Sequence, residues 1–343
     1  MPYGNNDWLS LSEEPTLEPK LPICDPHHHF WDFRKVRMPY ERYLLHELVA
    51  DIDSGHNIQS TVFIEAGSMY RSDGPSELKS VGEIEFVQGL AAASASGLYG
   101  EARAAASIVG RANLLLGNDV RPVLEQLRSA SPNRFRGIRH SVTWDPHPEI
   151  EKILARGRAK ENQLADKNFR AGASVLADMG LSLEAWLFFP QLKELADFAK
   201  SVPDLNIILN HVGGLLRIGP YANRDSEVIS EWKSGIKAVS ECPNINIKLG
   251  GLGMPQTGFG WESRETPVNS VELAEDMEPF LDYCIEQFGP DRSMFESNFP
   301  VDKVSYSYNV LYNAFKIISR KYTFSERAKL FHDTAVRIYS IEN

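Results

Sequence analysis

Residues 181–214 read LSLEAWLFFPQLKELADFAKSVPDLNIILNHVGG, and this stretch contains two apolar runs with a helical pattern between them. The runs Leu183–Phe188 and Asn206–Asn210 are short and rich in Leu, Ile and Phe, as buried strands are. Between them, Pro190 stands in the first turn of a predicted helix, and apolar residues recur at helical spacing up to Ala199. The stretch therefore predicts a βαβ unit with two parallel strands.

The same alternation of strand-like and helix-like segments recurs along the chain. Further strands are predicted at Leu21–Asp25, Thr61–Ala66, Ala106–Val109, Gly137–Ser141, Ile245–Leu249 and Met294–Ser297. Helical spacing predicts further helices at Val228–Val239, Val271–Phe288, Val310–Ser319 and Glu326–Tyr339. Eight strands alternating with helices predict an α/β fold, the (β/α)8 TIM barrel. A doubly wound open sheet is the alternative fold. It is less favoured because no glycine-rich phosphate-binding turn follows the first strand.

The domain organisation follows from the same pattern. Residues 1–21 are polar and acidic and form a predicted N-terminal arm, and residues 22–343 form a single predicted barrel domain. Two long connections, Gly67–Ala91 and Asp145–Gly180, are predicted to be insertions over the active face, where they could act as lids.

Composition narrows the class of protein. The chain has 343 residues, with 36 Lys and Arg against 46 Asp and Glu, a formal net charge of −10. Nucleic-acid-binding domains are usually basic, so we expect small-molecule substrates and no nucleic acid. No run of 18 apolar residues indicates a membrane helix, and residues 1–21 lack the basic start of a signal peptide. The three cysteines, Cys24, Cys242 and Cys284, are too few and too scattered for a set of disulfides, so we expect a cytoplasmic protein. A homo-oligomer remains possible.

The first strand leads into Asp25-Pro26-His27-His28-His29-Phe30-Trp31-Asp32. Residues two apart on a strand share a face, so His27 and His29 are predicted to project together while His28 points away. In a barrel strand that shared face is the interior near the carboxyl end, where active sites lie. Two neighbouring imidazoles can hold a metal or donate hydrogen bonds to a developing oxyanion.

Polar residues also end the sixth and eighth predicted strands. His211 follows an apolar strand and precedes Gly213 and Gly214, which is typical of a site residue, although a hydrogen-bonded capping histidine is the alternative. The eighth strand runs into Glu296-Ser297-Asn298-Phe299-Pro300-Val301-Asp302. This short run of polar residues around a proline predicts further site residues at the carboxyl ends of the barrel strands.

Two cations and two tryptophans complete the predicted pocket. Arg139 and Lys248 lie at the ends of the fourth and seventh predicted strands and would orient an anionic or carbonyl-rich substrate. The alternative is that each cation forms a structural pair with Glu65 or Glu296. Several aromatic side chains lie at or beyond strand ends, and of these Trp31 and Trp186 are predicted to contact the substrate. The others are Tyr70, Trp144 and Trp261.

Six segments together resemble the amidohydrolase-related family of the amidohydrolase superfamily, and they occur in that family's order. They are Asp25–Trp31 (pattern D-x-H-x-H-x-W), Phe135–His140, Asn210–Gly214, Ile247–Leu252, Phe295–Pro300 and Ala335–Tyr339. The family includes lactonases acting on sugar lactones and on 2-pyrone-4,6-dicarboxylate, and also nonoxidative decarboxylases. The resemblance implies a distorted (β/α)8 barrel whose site is built from His27, His29, His211 and the end of the eighth strand.

The eighth strand departs from the family pattern. The family usually has G-S-D-[WY]-P here, with an aspartate that binds metal or acts as the base, and Asn298 occupies the place of that aspartate. An amide cannot accept a proton from water at neutral pH and is a poor zinc ligand. Glu296, two residues earlier on the same face, and Asp302, four residues later, are the candidate replacements for the base.

Three functions are consistent with these residues. The leading hypothesis is a hydrolase that opens a lactone or similar cyclic ester of a small, anionic metabolite. His27, His29 and His211 would stabilise the oxyanion, either directly or through one divalent metal such as zinc. The second hypothesis is a metal-dependent nonoxidative decarboxylase. The third hypothesis is a ligand-binding barrel without catalytic activity. It remains an alternative because Asn298 has an amide where the family has a carboxylate.

Overall fold

Eight parallel strands form one sheet and follow one another in chain order, as the sequence predicted for a TIM barrel. The computed structural model describes residues 4–33, 40–153 and 159–342. The strands are β1 (Pro22–His28), β2 (Asn57–Ile64), β3 (Arg103–Gly110), β4 (Phe135–Arg139), β5 (Ser182–Ala185), β6 (Ile207–Leu209), β7 (Ile245–Leu249) and β8 (Ser293–Phe295). The segment after β8 returns to β1, where His29 N donates to Phe299 O at 2.8 Å and Asn298 N donates to His27 O at 2.9 Å.

Helices surround this sheet. They are α1 (Asn6–Leu9), α2 (Leu45–Ile52), α3 (Val81–Ala95), α4 (Arg121–Ala130), α5 (Pro148–Glu151), α6 (Lys167–Asp178), α7 (Leu192–Ser201), the single turn α8 (His211–Gly214), α9 (Asp225–Ser240), α10 (Ser270–Phe288), α11 (Tyr308–Ile318), α12 (Phe324–Ala328) and α13 (Thr334–Ile338). The helix predicted over Glu326–Tyr339 is divided in two by a π-helical turn at Lys329–Asp333.

The two predicted insertions were wrong in extent, because each contains a helix of the barrel. Helix α3 begins inside Gly67–Ala91, and α6 lies inside Asp145–Gly180. Val81, Ile84 and Val87 of α3 are buried on one face. Phe86 and Leu90, on another side, are partly buried against the same core, so the apolar residues of α3 do not mark a single face. Residues 154–158 of the second connection lie outside the described part of the chain.

Two apolar clusters stabilise the fold. The larger one fills the space between the strands and the surrounding helices. The smaller one lies inside the barrel and consists of Cys24, Val62, Ile64, Val109, Ile208 and Met294, together with Ala335 and Tyr339 from the C-terminal end. Strands buried on both faces read as nearly continuous apolar runs, which explains why most of them could be located from sequence.

The described part of the N-terminal arm is hydrogen-bonded to the barrel. Asn5 Nδ2 donates to Val304 O at 3.3 Å, and Trp8 Nε1 donates to Arg264 O at 3.1 Å. Further along, Asn313 Oδ1 accepts from Leu17 N at 2.8 Å. The described residues of the arm, 4–21, are thus distinguished from the barrel by composition, and they contact it directly. Among the described residues, no helix combines the length and apolar character needed to cross a bilayer.

Candidate active site

His27 lies at the centre of a buried group of charged and polar side chains inside the barrel. Its Nδ1 is 2.6 Å from Glu296 Oε2 and 3.4 Å from Lys248 Nζ, and its Nε2 is 3.3 Å from Arg139 Nη1. Burial, and then the positive charge of Lys248, hold the pKa of His27 well below its usual range. The ring is therefore neutral near pH 7 and can offer a lone pair.

His211 and Glu296 are held in contact by the turn after β6. Backbone N–H and Nδ1–H of His211 both donate to Glu296 Oε1, at 3.0 and 2.7 Å. His211 and Val212 have left-handed backbone conformations, with φ of 54° and 46°. A Cβ at Gly251 would lie 2.4 Å from the His211 ring, so the glycine is required for the ring to occupy this place. Gly251 thus makes room for His211, while a Cβ at the neighbouring Gly250 would lie 2.4 Å from Glu296 O.

His27, His211 and Glu296 form a group that could hold a metal ion. One donor atom from each lies within 4.8 Å of the others, and all three residues are buried. Glu296 Oε2 has no hydrogen-bond partner within the described part of the chain, although His27 Nδ1 lies 2.6 Å away. A buried carboxylate oxygen without a hydrogen bond needs an explanation, and a bound cation or water would provide one.

The predicted set of three histidines differs from this group at His29. Its Nδ1 lies 2.8 Å from Ile64 O, so this nitrogen carries the proton, and its Nε2 is 3.3 Å from Asn298 Oδ1. His29 does point to the same side as His27, with ring centroids 4.9 Å apart. However, Glu296 takes its place in the group of candidate ligands, because the side chain of His29 is directed toward β2 and Asn298.

Asp302 faces Asn298. Its Oδ1 accepts from Asn298 Nδ2 at 2.6 Å, and its Oδ2 accepts from Gly253 N at 2.9 Å and Tyr306 OH at 2.7 Å. Burial raises the pKa of Asp302 to about 6. With both oxygens hydrogen-bonded, Asp302 is better placed to orient Asn298 than to accept a proton from water.

His28 lies on the opposite face of β1, as the strand parity predicted. Its Nε2 is 2.8 Å from Thr61 Oγ1, and its ring packs against Phe30 and Phe63. Burial lowers the pKa of His28 to about 3. This histidine therefore belongs to the packing between β1 and β2.

The two predicted substrate-binding cations are both paired with carboxylates. Arg139 Nε donates to Glu65 Oε1 at 3.0 Å, and Lys248 Nζ lies 2.9 Å from Glu184 Oε2. The structural alternative named Glu65 or Glu296 as the partner of these cations, and Glu65 does pair with Arg139, whereas Lys248 pairs with neither of them. Sequence reasoning missed Glu184, although a carboxylate in the middle of an apolar strand is a recognisable signal.

The two tryptophans flank two of the histidines. Trp31 is buried, stacks on His29 with ring centroids 6.0 Å apart, and donates through Nε1 to Tyr40 O at 2.8 Å. Trp186 is partly exposed, and its ring lies edge-on to His211 at 4.8 Å. Trp261 instead stacks on Phe259 at 4.2 Å and donates to Asp276, away from this group.

Comparison with known proteins identifies the family. A family model described as amidohydrolase matches residues 24–341, nearly the whole chain. The chain belongs to the amidohydrolase family. The uncharacterised protein y4mH of Sinorhizobium fredii is 30% identical to this chain, over 94% of this chain and 99% of its own length. L-fucono-1,5-lactonase of Burkholderia multivorans is 24% identical over 92% of this chain and 95% of its own length.

Solved amidohydrolase structures share the fold. A Burkholderia multivorans amidohydrolase with bound zinc superposes with a TM-score of 0.69 at 20% identity, covering 93% of this chain and 99% of that one. The 5-carboxyvanillate decarboxylase of Sphingomonas paucimobilis gives a TM-score of 0.55 at 12% identity, covering 94% and 100%. At these identities the likeness shows the barrel fold alone.

Proposed function

We propose that this amidohydrolase hydrolyses a lactone or similar cyclic ester of a small metabolite. The observation that carries the proposal is the position of Glu296: Oε1 is held by two donors from His211, while Oε2 lies 2.6 Å from His27 Nδ1 and has no hydrogen-bond partner among the residues that the structure describes. An oriented carboxylate with one available oxygen is suited to accept a proton from an attacking water. The similarity to a sugar lactonase along most of the chain supports this choice of substrate class.

Glu296 is the proposed general base. Its Oε2 accepts a proton from water as the water oxygen bonds to the lactone carbonyl carbon. The ring C–O bond then breaks, and the proton passes from Glu296 to the alkoxide that leaves, giving a hydroxy acid. The hydrogen bonds from His211 keep the carboxylate in one orientation throughout, so little reorganisation is needed.

Positive charge around His27 would stabilise the oxyanion. Arg139 and Lys248 approach opposite nitrogens of the His27 ring at 3.3 and 3.4 Å, all within a buried region. Fixed charges in a water-excluded site stabilise developing negative charge more strongly than they would in water. Because Glu65 and Glu184 already pair with these cations, we assign Arg139 and Lys248 to this electrostatic role rather than to a substrate carboxylate.

The residues present fit a divalent metal. Two imidazole nitrogens and a carboxylate oxygen are the donor set of many catalytic zinc sites, which keep a fourth position for water or substrate. His27, His211 and Glu296 would hold the ion, and the oxygen of Glu296 without a hydrogen-bond partner among the described residues supports this fit. With an ion bound, that oxygen would be a ligand in place of its role as the base. When bound, such an ion polarises a carbonyl group and lowers the pKa of water. Trp31 and Trp186 would form apolar walls beside the substrate.

A panel of substrates tests the proposal. The purified protein, with and without added zinc, is incubated with γ- and δ-lactones of sugars and with carboxylated pyrones, and acid release is followed. We expect at least one lactone to be opened, and Glu296→Gln to lose on the order of 100-fold in kcat, since an amide cannot accept the proton. Glu275→Gln, at an exposed position of α10, is the control and should retain full activity.

Two outcomes would contradict lactone hydrolysis. Release of carbon dioxide from aromatic acids without opening of any lactone would favour the decarboxylase hypothesis. Saturable binding of lactones with no turnover of either substrate class would favour a ligand-binding barrel.

A further inference from the structure

The C-terminal segment Ala335–Tyr339 resembles the family pattern but has no part in the mechanism above. Its last residue lies at the amino ends of the strands, opposite the proposed reaction centre. Arg136, near the start of β4, donates through Nε to Tyr339 O at 3.1 Å. Ala335 and Tyr339 also pack on the interior residues Cys24 and Met294, so the chain closes the barrel from this end.

The side chain of Tyr339 reaches into the barrel interior. Its hydroxyl donates to Glu184 Oε1, and Lys248 Nζ lies 5.3 Å from the centre of its ring. Tyr339, Glu184 and Lys248 are all completely buried. A buried carboxylate needs several donors to offset its lost hydration, and Glu184 receives them from Tyr339, Lys248 and Asn210.

These contacts continue to the reaction centre. Glu184 Oε2 is 2.9 Å from Lys248 Nζ, which in turn is 3.4 Å from His27 Nδ1. The hydroxyl of Tyr339 and the ring of His27 are thus connected through two charged side chains that have little room to move. We propose that Tyr339 is a positioning residue of the site: its hydroxyl orients Glu184, and Glu184 holds Lys248 against His27.

The Tyr339→Phe substitution isolates the hydroxyl. The ring remains, so its packing and its contact with the Lys248 ammonium group are kept, and only the hydrogen bond to Glu184 is lost. Tyr322→Phe is the matched control, because Tyr322 OH also donates to a carboxylate, Asp282 Oδ1 at 3.0 Å, but outside the barrel. Glu184→Gln is the second variant, since it removes the charge that holds Lys248 while keeping the side-chain shape.

The first measurement is NMR of the protein labelled with ¹⁵N-histidine, without substrate. The signal of His27 is assigned by its loss in His27→Ala. We expect Tyr339→Phe and Glu184→Gln each to shift the His27 ring-nitrogen signal, and Tyr322→Phe to leave it unchanged. A folded Tyr339→Phe or Glu184→Gln protein with His27 signals identical to wild type would overturn the proposal, whatever reaction the protein catalyses.

The second measurement rests on the proposed lactonase function. On a lactone that the wild type opens, we expect Tyr339→Phe to lower kcat roughly tenfold with KM retained, because Lys248 is displaced from the reacting centre and not from a substrate-binding contact. Unchanged kcat together with a lower melting temperature would mean that Tyr339 only stabilises the fold. If the wild type opens no lactone, the proposed function fails, and the NMR result still decides the role of Tyr339.

Discussion

Asn298 donates through Nδ2 to Asp302 Oδ1 over 2.6 Å, so a carboxylate orients the amide that stands where the family pattern has an aspartate. The other amide atom, Oδ1, is then directed toward His29 Nε2 at 3.3 Å. Asn298 therefore lies in contact with both Asp302 and His29 and connects the loop after β8 to β1. A substitution at position 298 should therefore change the ionisation of Asp302.

Asn298→Asp should destabilise the protein, and more so at higher pH. The new carboxyl group would contact Asp302, whose pKa burial already raises to about 6. A carboxyl group with a raised pKa in the folded state costs stability as pH rises through that value, and like-charge contact raises one of the two pKa values further. We expect the loss in melting temperature relative to wild type to be larger at pH 8 than at pH 5. An equal loss at both values would place residue 298 outside contact with Asp302.

Zinc content should distinguish the two candidate ligand sets. If His27, His211 and Glu296 hold the ion, His211→Ala and Glu296→Gln should each lower bound zinc per chain after dialysis, since each removes one donor. His29→Ala should retain zinc close to the wild-type level, because His29 is directed toward Ile64 O and Asn298. Elemental analysis makes the comparison, and loss of zinc in His29→Ala would restore the three-histidine set.

His27→Ala and His28→Ala should separate activity from packing. Removing His27 takes away the centre of the buried group, and we expect loss on the order of 100–1,000-fold in kcat. His28→Ala should retain most activity but lose about 2 kcal/mol of unfolding free energy, because a buried ring packed on Phe30 and Phe63 is replaced by a cavity. Activity assays and urea unfolding measure the two effects, and an inactive His28→Ala would reverse the assignment of faces on β1.

Arg139→Lys should lower kcat more than it raises KM. The guanidinium of Arg139 contacts Glu65 and His27 at the same time, and a lysine cannot reproduce that planar set of donors. Arg121→Lys, at an exposed pair with Asp178, is the control and should change neither constant. A large rise in KM with unchanged kcat, measured on an anionic lactone, would instead return Arg139 to direct substrate binding.

The sequence by itself determined the features that depend on local periodicity. Short apolar runs located the strands, and the two-residue period of a strand put His27 and His29 on one face and His28 on the other. It also placed His211 and Glu296 at strand ends that share one edge of a parallel barrel. These inferences need only the pattern of neighbouring residues, which is why they held without knowledge of the register.

Only the tertiary structure decided which side chains meet. Lys248 of β7 pairs with Glu184 of β5, and Glu296 replaces His29 among the candidate ligands. The C-terminal segment Ala335–Tyr339 brings Tyr339 to Glu184. Such contacts join residues far apart in the chain, and they depend on strand register, left-handed turns such as the one at His211, and side-chain rotamers. Spacing along the sequence carries none of this information, because the barrel's closure sets the distances between its strands.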